Sequence, residues 1–207
     1  MASPQKKEET LKKIIQNSSI RFICPLCLKG FPRGDVLYRH FREQQDDKHA
    51  GLGKRTSKKK ADIDSFFACY QELVRTPMAA ESIPPGPNCF EVDFVVKNFG
   101  SSEHTLNTSE TIEGTLKKII QNSRIRFICP PCLKGFPRID VLSHHFREQQ
   151  EQGDDTHAGL AMKDRDHFTF FLSYRVVLGT SMTARDIPRG PECFSTAFVV
   201  EHYEEVT

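Results

Sequence analysis

The chain contains an internal duplication, which constrains its architecture more than any other feature. Residues 11–45 recur as residues 116–150, with five differences in 35 aligned positions. The second copy then gains three residues around positions 151–153, and the register resumes where residues 154–160 match residues 46–52. Weaker similarity follows, with residues 187–194 matching residues 83–90. A repeat of this length predicts two modules, residues 1–100 and 101–207, each of an ordinary domain size.

Composition excludes several classes of protein. No apolar run reaches the roughly 18 residues of a membrane span, and the polar N-terminus predicts no signal peptide. We therefore expect no membrane partner. The seven cysteines are an odd number, and four of them form two Cys-x-x-Cys pairs. That pattern favours metal sites in a reducing compartment over a disulfide framework.

Each module has the pattern of a small α+β fold. Leu11, Ile14 and Ile15 follow helical spacing, and a short strand and a metal-bearing segment come next. Aromatic residues at positions 66, 67 and 70 mark one face of a second helix and are interpreted as core. Alternating apolar residues from Phe90 to Val96 predict a final C-terminal strand. Cys89 and Cys193, which occupy matching positions, are interpreted as small buried hydrophobic residues.

The metal-binding pattern is Cys-Pro-x-Cys, a 12-residue gap and a histidine, and it occurs in both copies. The residues are Cys24, Cys27 and His40 in the first copy and Cys129, Cys132 and His145 in the second. Thiolate and imidazole ligands suit zinc, and a two-residue gap lets a tight turn direct both sulfurs at one ion. Phe22, Phe31 and Leu37 have the spacing of a miniature core beneath such a site.

This arrangement resembles the C2H2 zinc finger, twice over. The resemblance implies a ββα finger over about residues 20–52 and another over about 125–160, with one zinc ion in each. One departure concerns the second histidine, because eight residues separate His40 from His49 and eleven separate His145 from His157. We favour His49 and His157 as fourth ligands, reached through an acidic loop. The alternative is that both are surface histidines and that a water, an aspartate or His144 completes the site.

The resemblance also implies which finger residues would face DNA bases. If His40 stands at helix position 7, Arg33 falls at position −1 and Arg39 at position 6, and Arg138 and His144 are their counterparts in the copy. Arginine at −1 can donate two hydrogen bonds to guanine while an aspartate at position 2 braces it. The other interpretation is a plain surface pair between arginine and aspartate near a helix N-terminus.

A basic run follows the first finger. It contains Lys54, Arg55, Lys58, Lys59 and Lys60. These residues are interpreted either as a solvated linker or as a nuclear import signal or phosphate-contacting arm.

Two functions follow from these motifs. The first is a zinc protein of the nucleus, or else of the cytosol, that binds nucleic acid, with DNA favoured. The second is a module whose fold is stabilised by zinc and that binds a protein partner. No catalytic arrangement is recognised, because zinc deaminases place a His-x-Glu motif before Pro-Cys-x-x-Cys, whereas the one His-x-Glu of this chain, at residues 202–204, follows both cysteine pairs. We therefore expect no enzyme activity and no small-molecule substrate.

Overall fold

The computed structural model describes residues 3–74, 80–99, 109–161 and 167–204. The predicted module boundary at residues 100 and 101 lies outside these ranges. The described chain is mostly helical with two small antiparallel hairpins, which confirms the α+β class.

The two repeats contain matching elements. In the first repeat these are α1 (Pro4–Asn17), β1 (Phe22–Ile23), β2 (Gly30–Phe31), α2 (Gly34–Glu43), α3 (Asp47–Gly53), α4 (Lys60–Val74) and α5 (Val92–Phe99). In the second they are α6 (Ser109–Asn122), β3 (Phe127–Ile128), β4 (Gly135–Phe136), α7 (Ile139–Glu151), α8 (Asp155–Ala158), α9 (His167–Leu178) and α10 (Thr196–His202). Short 3₁₀ turns at Lys54–Thr56, Ala80–Ser82, Gly86–Phe90 and Gly190–Phe194 connect them.

The predicted C-terminal strand is wrong, because residues 92–99 and their counterparts form helices α5 and α10. The buried residues Val95 and Val96 are adjacent in sequence, which places them on one helical face rather than on alternate faces of a strand. In the second copy the Ser195 hydroxyl accepts a hydrogen bond from the Phe198 amide and caps the helix. The residue before each helix retains a single bridge to the hairpin, Phe22 to Glu91 and Phe127 to Ser195.

The chain forms two compact units whose boundaries do not follow the sequence repeats. One unit contains residues 19–123, and the other contains residues 1–18 together with residues 124–207. Helix α6, which precedes the second finger in sequence, therefore packs with the first finger. Helix α1, which precedes the first finger, packs with the second.

The exchanged helices make equivalent contacts in the two units. Helix α6 contacts β2 and α5, whereas α1 contacts β4 and α10. Each buries the same apolar stripe, namely Leu11, Ile14 and Ile15 of α1 and Leu116, Ile119 and Ile120 of α6. In the unit that contains α1, the Lys7 ammonium also lies 2.6 Å from the Glu201 carboxylate.

A separate apolar core joins each finger to the helices that follow it. In the unit of residues 19–123, Phe41 of α2 and Phe66 and Tyr70 of α4 are fully buried and surround Phe90. The Tyr70 hydroxyl donates a hydrogen bond to the Cys89 carbonyl at 2.8 Å, so the polar end of this ring is satisfied. Cys89 and Cys193 are fully buried, as predicted, and so are Tyr174 and Phe194 in the second core.

Candidate metal centres

The cysteines of each finger lie in the turn of a two-stranded hairpin. Phe22 pairs with Phe31 and Ile23 with Gly30, and the Cys24 amide donates to the Lys29 carbonyl at 3.0 Å. The Leu28 amide donates back to the Cys24 carbonyl at 2.8 Å. These bonds close a tight turn in which Leu28 has a φ of +52°. Both sulfurs thus face one point.

The first histidine is presented by the finger helix. Two residues after β2, helix α2 begins, and its buried face carries Leu37, His40 and Phe41. The Nε2 atom of His40 lies 3.5 Å from the Cys27 sulfur, and the Phe31 ring lies 4.9 Å from the imidazole. The second finger repeats the 3.5 Å distance between Cys132 and His145.

The second histidine is presented by a short helix rather than by the loop that the sequence predicted. Asp46 caps α3 by accepting the His49 amide at 2.9 Å, and its other carboxylate oxygen lies 2.6 Å from His49 Nδ1. Helix α3 lies so close to α4 that a Cβ added at Gly51 would stand 3.1 Å from the Cys69 Cβ. The cap and this packing together fix the imidazole.

The second finger reaches the same geometry despite its extra residues. Helix α7 has 13 residues where α2 has 10, so the inserted residues lengthen the finger helix by nearly one turn. Asp154 then caps α8, and its carboxylate lies 2.7 Å from His157 Nδ1. The three extra residues extend the finger helix ahead of the capping aspartate. His157 therefore still lies beside the other three ligands.

Four potential ligand atoms meet in each finger. One group is Cys24, Cys27, His40 and His49, and the other is Cys129, Cys132, His145 and His157. Within each group the ligand atoms all lie within 4.8 Å of one another. The described chain therefore contains two Cys2His2 sites, one per module, as the cofactor prediction required.

The residues fit zinc on a second, independent observation. The Nε2 atoms of His49 and His157 are buried and have no hydrogen-bond partner. A buried nitrogen without a partner is costly in an apolar setting, whereas a metal ion would satisfy it. The aspartate on Nδ1 selects the tautomer that leaves Nε2 free to ligate, which is the usual outer-shell arrangement around zinc.

Electrostatics in each site favour a thiolate. Cys27 accepts a hydrogen bond from the Cys24 thiol, and its pKa is lowered to about 4. The same bond and burial raise the pKa of Cys24. In the second finger the Cys129 thiol likewise lowers the pKa of Cys132 to about 4. The lowered pKa of the second cysteine favours its thiolate form, which a cation between the sulfurs would stabilise.

The alternatives for the fourth ligand are placed elsewhere. His144 is exposed, with its Nε2 atom 3.1 Å from the Glu148 carboxylate. Asp46 and Asp154 contact the Nδ1 side of the histidines, and so support a ligand rather than replace it. Sequence reasoning missed this supporting role. The signal for it was present, since both copies have an aspartate three residues before the histidine.

The predicted base-reading residues form an exposed pair on each finger helix. Arg33 donates to the Asp35 carboxylate through Nε at 2.8 Å and through Nη2 at 2.5 Å. Arg138 and Asp140 repeat this bidentate pair at 2.9 and 2.7 Å. The Arg33 guanidinium lowers the pKa of Asp35 to about 2, so the pair is ionised at neutral pH. Arg39 is exposed on the same helix.

The basic run divides into two parts. The Arg55 guanidinium lies over the Phe66 and Phe67 rings and donates to the Pro84 carbonyl at 3.1 Å. Lys54 also faces α4, with its ammonium 3.4 Å from the Ser65 hydroxyl. Lys58, Lys59 and Lys60 are exposed. Lys54 and Arg55, two of the five residues predicted to contact phosphate, thus make contacts within the folded unit.

Comparison with known proteins agrees with this geometry. Residues 21–43 match the family model of the C2H2-type zinc finger. The matched segment contains Cys24, Cys27 and His40 and ends before His49, where the long histidine spacing begins. Curated proteins and solved structures give no significant match. Among the described residues, no helix combines the length and apolar character that crossing a membrane requires.

Proposed function

We propose that each finger binds one structural zinc ion through two cysteines and two histidines. Four protein ligands complete a tetrahedron and leave no open coordination position, whereas catalytic zinc keeps one for water or substrate. The buried Nε2 atoms without partners support this proposal. The zinc would therefore stabilise the fold, and we propose no enzyme activity.

We further propose that the zinc-loaded fingers bind DNA. The observation that supports this proposal is the arginine–aspartate pair at the start of both finger helices. Its arginine side chains are exposed, Arg33 to 70% and Arg138 to 72%. The bidentate pair with the neighbouring carboxylate orients the arginine side chain before a base is bound. Little side-chain conformational entropy is therefore lost on binding. Arg39 extends this surface in the first finger.

Phosphate contacts would come from the exposed lysines. Lys58, Lys59 and Lys60 follow the first finger and are free of the packing that holds Arg55. Each phosphate that a lysine neutralises releases counterions and makes binding depend on salt. We propose that the same three lysines also serve as a nuclear import signal. Replacing them with alanine in a fluorescent fusion would then shift the protein from the nucleus to the cytosol.

A salt titration with variants tests DNA binding. We expect labelled random-sequence duplex to bind the zinc-loaded full chain, with affinity falling as salt rises. On a guanine-containing duplex selected from that random pool, the double variant Arg33→Ala with Arg138→Ala should bind more weakly, by roughly 1–3 kcal/mol for each lost base contact. Arg185→Ala with Arg189→Ala is the matched control, because both residues are exposed and lie outside the finger helices. Absence of duplex binding at low salt would disprove the proposal.

A protein partner is the second candidate, and one observation favours it. On α9 the apolar residues Leu172 and Val176 are 45% and 72% exposed. The first copy has Ala68 and Glu72 at the matching positions, so this apolar surface belongs to the second copy alone. If Leu172→Ala with Val176→Glu abolishes a cellular interaction while duplex binding is absent, the protein-binding function replaces the DNA-binding one.

A further inference from the structure

The exchanged helices end at the metal-binding turns. The turn concerned, here called the knuckle, is residues 24–30 in the first finger and 129–135 in the second. Asn17, the last residue of α1, donates from its side-chain amide to the Cys132 carbonyl at 2.7 Å. Asn122, the last residue of α6, donates to the Cys27 carbonyl at the same distance. The asparagine at the end of each exchanged helix thus contacts the second cysteine of the other repeat.

A second hydrogen bond holds the far end of each knuckle. The Gly135 amide donates to the Ser18 hydroxyl at 2.8 Å, and the Gly30 amide donates to the Ser123 hydroxyl at 2.8 Å. The approach is so close that a Cβ on Gly30 would stand 2.8 Å from the Ser123 oxygen. The same Cβ would stand 2.5 Å from Ile20 Cγ2, so the helix end and Ile20 together leave room for glycine only.

These two bonds enclose the strained residue of the knuckle. Leu28 and Leu133 both have a φ of +52°, a conformation that residues with a branched side chain disfavour. Each leucine lies directly after the second cysteine, between the carbonyl that the asparagine binds and the amide that the serine binds. The helix end thus fixes the backbone that directs the second sulfur.

We propose that Asn17 and Ser18 are positioning residues for the metal site of the second finger, and that Asn122 and Ser123 serve the first finger. The proposal rests on zinc binding as proposed above. The two sites are then reciprocal, since each uses the helix that precedes the other finger in sequence. Loss of a helix end should loosen the distant site and spare the adjacent one.

Timed zinc removal with thiol alkylation tests this in the full chain, because trypsin separates the two sites. Cleavage after arginine and lysine yields residues 22–29, FICPLCLK, from the first finger and residues 127–134, FICPPCLK, from the second. The two peptides differ in mass at Leu26 and Pro131. Alkylation of each peptide during a chelator challenge therefore reports zinc release from one site.

The expected result is a crossed pattern. Asn17→Ala should speed alkylation of residues 127–134 by about three- to tenfold, as loss of one supporting hydrogen bond implies, and leave residues 22–29 unchanged. Asn122→Ala should do the reverse. Gln16→Ala and Gln121→Ala are matched controls, since each exposed glutamine precedes an asparagine. An effect on the finger of the same repeat, or none, would overturn the proposal.

Amide exchange at the knuckle glycines gives a readout that does not depend on zinc release. Ser18→Ala should accelerate exchange of the Gly135 amide and not of Gly30, and Ser18→Thr should restore protection because it retains the hydroxyl. Acceleration at Gly30 instead would show that each helix docks on its own finger. If neither peptide of the unaltered chain resists alkylation, zinc binding itself fails and this proposal fails with it. If both peptides of the unaltered chain resist alkylation but the variants do not give the crossed pattern, only the positioning role of the helix ends is refuted.

Discussion

Asp46 contacts His49 twice, through the backbone amide at 2.9 Å and through Nδ1 at 2.6 Å. The carboxylate therefore caps helix α3 and orients the imidazole at the same time. Accepting these bonds lowers the pKa of Asp46, so the carboxylate is ionised at neutral pH. Asp154 and His157 repeat this relationship.

We expect Asp46→Asn to weaken zinc binding at the first site by roughly 10- to 100-fold, the usual cost of losing an outer-shell partner. Asparagine caps helices as well as aspartate does, so the change removes the charge that orients His49 and preserves the cap. Competition with a chromophoric chelator measures the affinity. Asp47→Asn is the control, since Asp47 is the exposed neighbour. Equal affinities for the two variants would contradict the orienting role.

We expect His49→Ala and His157→Ala each to reduce bound zinc from two ions per chain to one. The physical reason is that three protein ligands bind the ion more weakly than the four of a closed structural site. Atomic absorption on protein of known concentration measures the ratio. His144→Ala should retain two ions, because His144 is exposed and pairs with Glu148. Two ions in both ligand variants would show that these histidines do not bind metal.

We expect Phe41→Ala to destabilise the unit of residues 19–123 by roughly 3–5 kcal/mol, the usual cost of removing a fully buried ring. Phe41 lies between the metal site and the following helices, 6.3 Å from the His49 ring and 5.1 Å from the Phe90 ring. Urea unfolding of the zinc-saturated protein measures the change. Val176→Ala, at a position 72% exposed, should alter stability by less than about 0.5 kcal/mol.

We expect the ion pair between Lys7 and Glu201 to stabilise the docking of α1 by no more than about 1 kcal/mol, because both side chains retain access to water. A double-mutant cycle with Lys7→Met and Glu201→Gln measures this coupling, which should fall as salt rises. The hydrogen bond from Lys7 lowers the pKa of Glu201 below its usual 4.5. Stability from this pair is therefore fully present above about pH 4.5 and lost as pH falls through the lowered pKa. A coupling energy that changes between pH 6 and pH 8 would contradict the assignment.

The local features of the finger were predictable from sequence because they depend on residues close together in the chain. The spacing of Cys24, Cys27 and His40 predicted the hairpin and helix that carry them, and the apolar positions predicted the core beneath. The alternation from Phe90 to Val96 led to the wrong prediction of a strand, because four apolar residues at a spacing of two are compatible with a strand and with part of a helix. The burial of Val95 beside Val96, which only packing reveals, distinguishes the two.

The amino-acid sequence alone determined that there are two fingers and which cysteines and first histidine belong to each, because that spacing is a property of the local chain. The sequence favoured His49 and His157 as fourth ligands but left alternatives, and the structure brings both histidines to the sites. Only the tertiary structure decided which helix supports which finger. Residues 11–18 and 116–123 are identical, so either pairing offers the same hydrogen bonds and the same apolar surface. The choice between the two pairings therefore depends on how the whole chain packs, and in the structure each helix lies in the unit of the other finger.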